Sequence, residues 1–186
     1  MHIGLGQNNV KYNHKLHKRN LIKGTEEKDL GVIITNDIKC AAQCLVASRK
    51  ANNVLKFIAR NFVYKTPEVI TRLYTSLVKP HLEYVVQFWS PFYQRDINKL
   101  ESVQRRAMKL IPGIRGLSYK ERLKKLDMFS LRDRRIRGDP IQTFKILKDI
   151  DKIDYDELSQ SVTRSKGLKL KGQRFNIDLR RNFFLT

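Results

Sequence analysis

Acidic residues are scarce in this 186-residue chain: eighteen Asp and Glu stand against thirty-eight Lys and Arg, for a formal net charge of +20. Long apolar runs are missing too, and no stretch approaches the roughly 18 uninterrupted apolar residues of a transmembrane helix. The opening MHIGLGQNNVKYNHK has no apolar segment and no small-residue cleavage site, so an intracellular protein of nucleus or cytoplasm is expected, not a secreted one. Cysteine is limited to Cys40 and Cys44, one helical turn apart. A metal site needs about four ligands, and no His pair follows at finger-like spacing, so two buried or free thiols are expected. No glycine-rich phosphate loop occurs, and His2, His14, His17 and His81 lie in no nucleophile motif. A two-metal polymerase or nuclease centre needs clustered carboxylates. Here the acids are scattered or abut bases, as in Glu26-Glu27-Lys28-Asp29. Asp149, Asp151, Asp154, Asp156 and Glu157 do gather, but beside Lys148 and Lys152, as at a surface helix terminus. No catalytic or metal-binding residue is therefore expected.

What is present is charge on a foldable background. Forty-one per cent hydrophobic residues suffice for one ordinary domain, or for two small ones on a shared core. A +20 chain repels itself, and a polyanion relieves that repulsion. Nucleic acid is the first candidate and an anionic membrane surface the second.

The first 36 residues differ from the rest. LGVII, at Leu30 to Ile34, is β-branched and bounded by Asp29 and Thr35-Asn36-Asp37, which predicts a strand with a turn after it. Gly31 inside it predicts a bulge or a close backbone approach. From about Cys40 the period turns helical. Ala41, Leu45, Ser48, Ala51, Leu55, Ile58 and Phe62 form one stripe, with Arg49, Lys50, Lys56 and Arg60 off it. Thr66-Pro67-Glu68 starts a second helix, whose apolar face is Val69, Ile70, Leu73, Tyr74, Leu77 and Val78 and which Pro80 ends. The five aromatic rings of HLEYVVQFWSPFY, residues 81–93, predict a buried packing hub. Asp96 is expected to cap a third long helix, broken by Pro112-Gly113, and Ser118 with Glu121 makes a capping box for a short one. A last helical stretch, LRDRRIRGDPIQTFKILKDI, is expected to break or kink at Pro140, with Asp139 as cap. Residues 159–174 read as a mobile basic linker, and Arg174 to Leu185 as a terminal strand.

The densest positive run is Arg105 to Arg137, with twelve Lys or Arg against Glu121, Asp127 and Asp133. Guanidinium groups are planar, permanently charged and able to grip two phosphate oxygens at once. The predicted nucleic-acid contacts are Arg49, Lys50, Lys56, Arg60, Arg105, Arg106, Lys109, Arg132, Arg134, Arg135 and Arg137. The expected fold is mainly α: a helical bundle with a small N-terminal β element and a basic, partly flexible C-terminal tail.

Several long strings also carry a family resemblance. LYTSLVKPHLEYVVQFWSP (73–91), DINKLESVQRRAMKLIPGIRGLSYKERLKKLDMFSLRDRRIRGD (96–139) and EKDLGVIITNDIK (27–39) resemble the region after the polymerase core of non-LTR retrotransposon reverse transcriptases, of the LINE-type, jockey-like branch. The resemblance implies a palm and primer-grip remnant over 1–38, with Leu30 and Gly31 in the primer-grip hairpin. It implies a helical thumb-like domain over 39–151 and a basic linker with a strand-like end over 152–186. Thumb helices of that family track the template–primer duplex, so RNA or DNA, held by its backbone, is the implied partner, with a missing palm domain as a second. The family's aspartate pair is absent from these residues. No cofactor is therefore expected in this chain, and Mg²⁺ only with the palm. Pro140 departs from the apolar helix former expected there, which fits a degraded element copy or a truncated gene model. The competing expectation is a host-captured basic scaffold or protein-binding domain with no polymerase role, using the aromatic hub.

Overall fold

A computed structural model of the chain describes residues 13–147, 150, 160–162 and 168–170. Among these, two short antiparallel hairpins precede a mainly helical body. β1 (Lys15–Leu16) pairs with β2 (Arg19–Asn20), and β3 (Glu26–Asp29) with β4 (Val32–Thr35). The second hairpin turns on Leu30 (φ 44°) and Gly31 (φ 86°), both at positive φ, the handedness that matches strand twist in a two-residue loop. Gly31 is thus a turn residue, not the in-strand bulge the sequence predicts, and the strand begins one residue later. The predicted close approach is present: a Cβ on Gly31 would stand 3.6 Å from the Tyr84 ring. The Tyr84 hydroxyl donates to the Leu30 carbonyl at 3.0 Å.

β4 is fastened to the first helix by the Ile33 N–H, which donates to Gln43 Oε1 at 3.0 Å, and by buried Val32. Between them Asp37 accepts from the Thr35 hydroxyl at 2.6 Å and from the Lys39 N–H at 3.2 Å. The Thr35 bond leads in holding its carboxyl below the usual range.

Helix α1 (Ala41–Asn61) buries Gln43, Cys44, Ala47, Ser48, Ala51, Leu55 and Ile58. Ser48, Ala51, Leu55 and Ile58 are buried as the stripe predicts and Phe62 packs against the core, but in the first turns the face differs, since Leu45 is exposed and Ala41 only half-buried. Cys44, Ala47 and Ala51 are small and let neighbouring helices approach closely, and that selects the face more strongly than the bulk of Leu45. Thr66 caps α2 (Pro67–Leu73) as expected, accepting from the Val69 N–H at 3.4 Å. Pro80 does not end this run. A π turn over Tyr74–Val78 leads into α3 (Lys79–Glu83), with the Lys79 N–H reaching back to the Tyr74 carbonyl. Proline lacks an N–H and clashes with the carbonyl four residues back, and a turn widened by one residue relieves both problems. Tyr74, Val78 and Leu82 face inward, while Leu77 is exposed.

Val85 then adopts φ 48°, a left-handed conformation unfavourable for a β-branched residue. The Trp89 indole N–H secures the corner by donating to the Tyr84 carbonyl at 2.7 Å. One turn of helix, α4 (Val86–Trp89), points Val86 and Trp89 inward. The predicted aromatic hub is therefore divided: Trp89 is buried, whereas Tyr84, Phe88 and Tyr93 are each about half exposed (53%, 52% and 48%).

Helix α5 (Gln94–Lys109) starts two residues before Asp96, which is buried within the first turn with Lys99 Nζ 3.4 Å away, and so is not the cap. Leu100, Val103, Ala107 and Met108 fill the core. A 3-10 turn at Pro112–Ile114 breaks the helix as expected. Ser118 and Glu121 form the expected capping box of α6 (Tyr119–Lys125). Helix α7 (Leu131–Leu147) runs through Pro140 without the predicted break. Pro140 and Ile136 are both exposed, so the carbonyl that loses its donor is solvated and not stranded in the core. Gln160–Val162 (β5) pairs antiparallel with Leu168–Leu170 (β6), inside the stretch read from sequence as linker. The predicted strand at 174–185 lies outside the described residues, as does the acidic group at 149–157.

Three helices meet on Glu101, which is 4% exposed. Its carboxylate accepts from the Tyr119 hydroxyl of α6 and, at 2.9 Å, from the Arg132 N–H in the first turn of α7. Beside it, Gln104 Nε2 donates to the Phe129 carbonyl at 3.0 Å. A carboxylate at a helix N-terminus is also favoured by the helix dipole. Replacing Glu101 by Ala strands the Arg132 N–H, leaves the Tyr119 hydroxyl with Gln104 Oε1 at 3.2 Å, and removes the charge that supports buried Arg135, so a loss of about 3 kcal/mol in urea unfolding is expected. Ser118→Ala, which removes only a cap, should cost about 1 kcal/mol.

Burial raises the phenols of both Tyr74 and Tyr119 well above their usual value, and the bond to Glu101 adds to the effect on Tyr119. A raised acid stabilises the fold fully below its unfolded pKa, about 10 for Tyr, and that stability is lost as pH climbs above it. The urea midpoint should therefore fall steeply above about pH 10, and less steeply in Tyr119→Phe.

Candidate nucleic-acid interface

The buried side of α1 dictates its opposite side. Arg49, Asn53, Lys56 and Arg60 are spaced four, three and four apart, which puts them in one line on the outer face. The rise of an α-helix makes that line about 17 Å long. Helix α5 packs alongside, running the same way: Asp96 lies opposite Cys40 and Cys44, and Arg106 opposite Asn52. Its second half presents Arg105, Arg106 and Lys109, all exposed.

Two contacts fix guanidinium groups on this surface without neutralising them. Arg106 Nη1 donates to Asn52 Oδ1 at 2.8 Å, bridging α5 to α1, and Nη2 donates to the Ser102 hydroxyl at 3.3 Å. Arg105 lies over the Tyr119 ring, 4.8 Å from its centroid. Among the described residues, the ion pairs are Lys39–Asp37, Lys79–Glu83, Lys99–Asp96 and Arg134–Glu83. Arg49, Lys50, Lys56, Arg60, Arg105, Arg106 and Lys109 belong to none of them. Seven of the sequence-predicted contacts therefore lie on two adjacent helices with their charge uncompensated. Arg115 extends the set, its Nε held at 3.1 Å on the Lys109 carbonyl. Sequence spacing could not single it out, because it sits in a turn and not on a helix face.

The four arginines of α7 separate into different roles. Arg134 forks onto Glu83, with Nε to Oε1 at 2.6 Å and Nη2 to Oε2 at 3.2 Å. Arg135 is buried, its charge opposed by that burial and supported by Glu101, and one of its Nη atoms has no hydrogen-bond partner. Arg135 is thus enclosed, while exposed Arg134 has its charge matched by Glu83. Arg137 stacks over Phe129, 4.7 Å from the ring centroid, and Arg132 is exposed. Leu30 and Gly31 form the β3–β4 tip against Tyr84.

Cys40 and Cys44 are buried free thiols. The hydrogen bond between them lowers the Cys40 pKa and raises that of Cys44. Among the described residues no group of three or more His, Cys, Asp or Glu could hold a metal ion. No described helix is long and apolar enough to cross a membrane.

No protein-family model, curated protein or solved structure matches the chain.

The two classes of arginine make opposite predictions for binding to a duplex of mixed sequence. Arg106→Ala should reduce the slope of log affinity against log salt by about one, with at most about 0.5 kcal/mol of urea stability lost with its exposed bonds to Asn52 and Ser102. Arg134→Ala should lower stability by about 1 kcal/mol and leave the slope unchanged.

Proposed function

We propose that the outer face of α1 and α5 binds RNA or DNA through its phosphate backbone. The chain then acts as the template–primer-contacting, thumb-like piece of an RNA-directed DNA polymerase from a non-LTR mobile element, without that enzyme's catalytic aspartates. The observation that carries the binding reading is the set of seven exposed cations on two packed helices, none paired with a carboxylate among the described residues. Such a surface recognises phosphate spacing and charge, so binding is tolerant of sequence and steeply weakened by salt. The polymerase parentage is supported by the long strings at 27–39, 73–91 and 96–139, and by a helical body compatible with a thumb. A complementing palm domain is the partner that would supply the Mg²⁺-binding carboxylates.

One observation favours a second reading, a captured scaffold or protein-binding domain. Tyr84, Phe88 and Tyr93 leave apolar surface uncovered beside the strained Val85 corner.

The two readings part on salt dependence. Nucleic-acid binding predicts a log–log slope of several units, about −0.9 per phosphate contacted on B-DNA, and joint reversal of Arg105, Arg106 and Lys109 to Glu should flatten it. Unchanged affinity in that variant rules the surface out. Primer extension by the purified chain should give no Mg²⁺-dependent incorporation, and any incorporation contradicts a non-catalytic piece.

A further inference from the structure

The line of cations on α1 ends among exposed rings. Phe57 is 59% exposed in the turn before the last of α1, one residue after Lys56 and three before Arg60. Helix geometry makes Asn53, Arg60 and Asn61 its surface neighbours. Beyond the Phe62 cap the chain leaves the helix through Val63 and Tyr64, 83% and 82% exposed, followed by half-buried Lys65. A lone exposed apolar side chain is ordinary. Here one exposed ring lies between the last two cations of the line and a second follows two residues past the helix cap, and in a chain this charged, exposed apolar surface at that place calls for a ligand that carries both phosphate and ring.

Paired bases in a duplex keep their faces stacked on one another and offer only edges and backbone. Unpaired bases offer faces, and grooves for single strands combine cations for the backbone with aromatic side chains for the bases. We infer that the α1 surface takes a single strand, or the unpaired overhang of a duplex, with Arg49, Lys56 and Arg60 along its phosphates and Phe57 and Tyr64 stacked on its bases. This inference rests on the phosphate-binding reading of α1 and α5 and adds the strandedness of the ligand. Both rings are outside the core, so replacing them should leave the fold intact. Asn61, whose side-chain amide donates to the Phe57 carbonyl at 2.8 Å, keeps the helix end closed in either case.

The test compares three oligonucleotides of equal length: a mixed-sequence single strand, an abasic single strand of the same backbone, and a blunt duplex. Phe57→Ala and Tyr64→Ala are each expected to weaken the mixed-sequence strand at least fivefold, the lower end of about 1–3 kcal/mol per stacked base. They should leave the blunt duplex and the abasic strand within about twofold, well below that stacking range, and Phe57→Trp should retain full affinity. The abasic strand should bind the unaltered protein more weakly than its base-bearing counterpart. Equal affinity for abasic and base-bearing strands overturns the stacking inference while the phosphate reading stands, as does an equal loss on the blunt duplex. Failure of the unaltered protein to bind any of the three overturns both.

Discussion

The Glu101 carboxylate joins α5, α6 and α7 through two donors from different helices, and buried Arg135 is held close to it. In a chain with a little under half as many acids as bases, where the acids are spent decides what the rest of the surface looks like. Six of them, among the described residues, are spent on holding the helical body and its turns together. Asp96 is buried against Lys99, Glu83 clamps Arg134, Glu121 closes the capping box of α6, and Asp37 ties the turn before α1. Asp133 accepts from the Ser130 hydroxyl at the start of α7. The terminal donors among these partners would otherwise be left unsatisfied at a cost in stability.

The consequence lies on the other side of the same helices. With these carboxylates turned to construction, α1 and α5 present arginine and lysine with nothing local to offset them. Fixing Arg106 with Asn52 and Arg105 with Tyr119 orients the groups while preserving their charge. A carboxylate in either place would have cancelled it. A surface of this kind opposes its own compaction, and a phosphate backbone relieves that strain as it binds. Stability of the helical body and the affinity for a polyanion proposed above thus trace to one allocation of a scarce residue type.

Much of this was legible in the sequence wherever a local rule decides the outcome. The Thr66 cap, the Ser118–Glu121 box, the break at Pro112-Gly113 and the outer line of Arg49, Lys56 and Arg60 follow from chemistry within a few residues. Outcomes set by distant partners were not legible. Leu45 yields its predicted core position because small Ala47 and Ala51 admit the neighbouring helices. Pro80 continues a helix it was expected to end, through a widened turn, and Pro140 lies on an exposed face inside a helix it was expected to break or kink. Arg134 and Arg135 look like Arg105 and Arg106 in sequence. Only the three-dimensional positions of Glu83 and Glu101 divide them into clamps and exposed cations. The aromatic run failed as a hub for a related reason, since the left-handed Val85 divides it into an inward Trp89 and outward Tyr84, Phe88 and Tyr93.

The most direct check of the α1–α5 surface is a residue-by-residue map of amide and side-chain perturbation as a short phosphate-bearing oligonucleotide is titrated into the protein. The largest changes should fall on Arg49, Lys56, Arg60, Arg105, Arg106 and Lys109, with Arg134 and Arg135 unmoved. Changes centred on Tyr84, Phe88 and Tyr93, with the two cationic helices silent, would contradict this expectation.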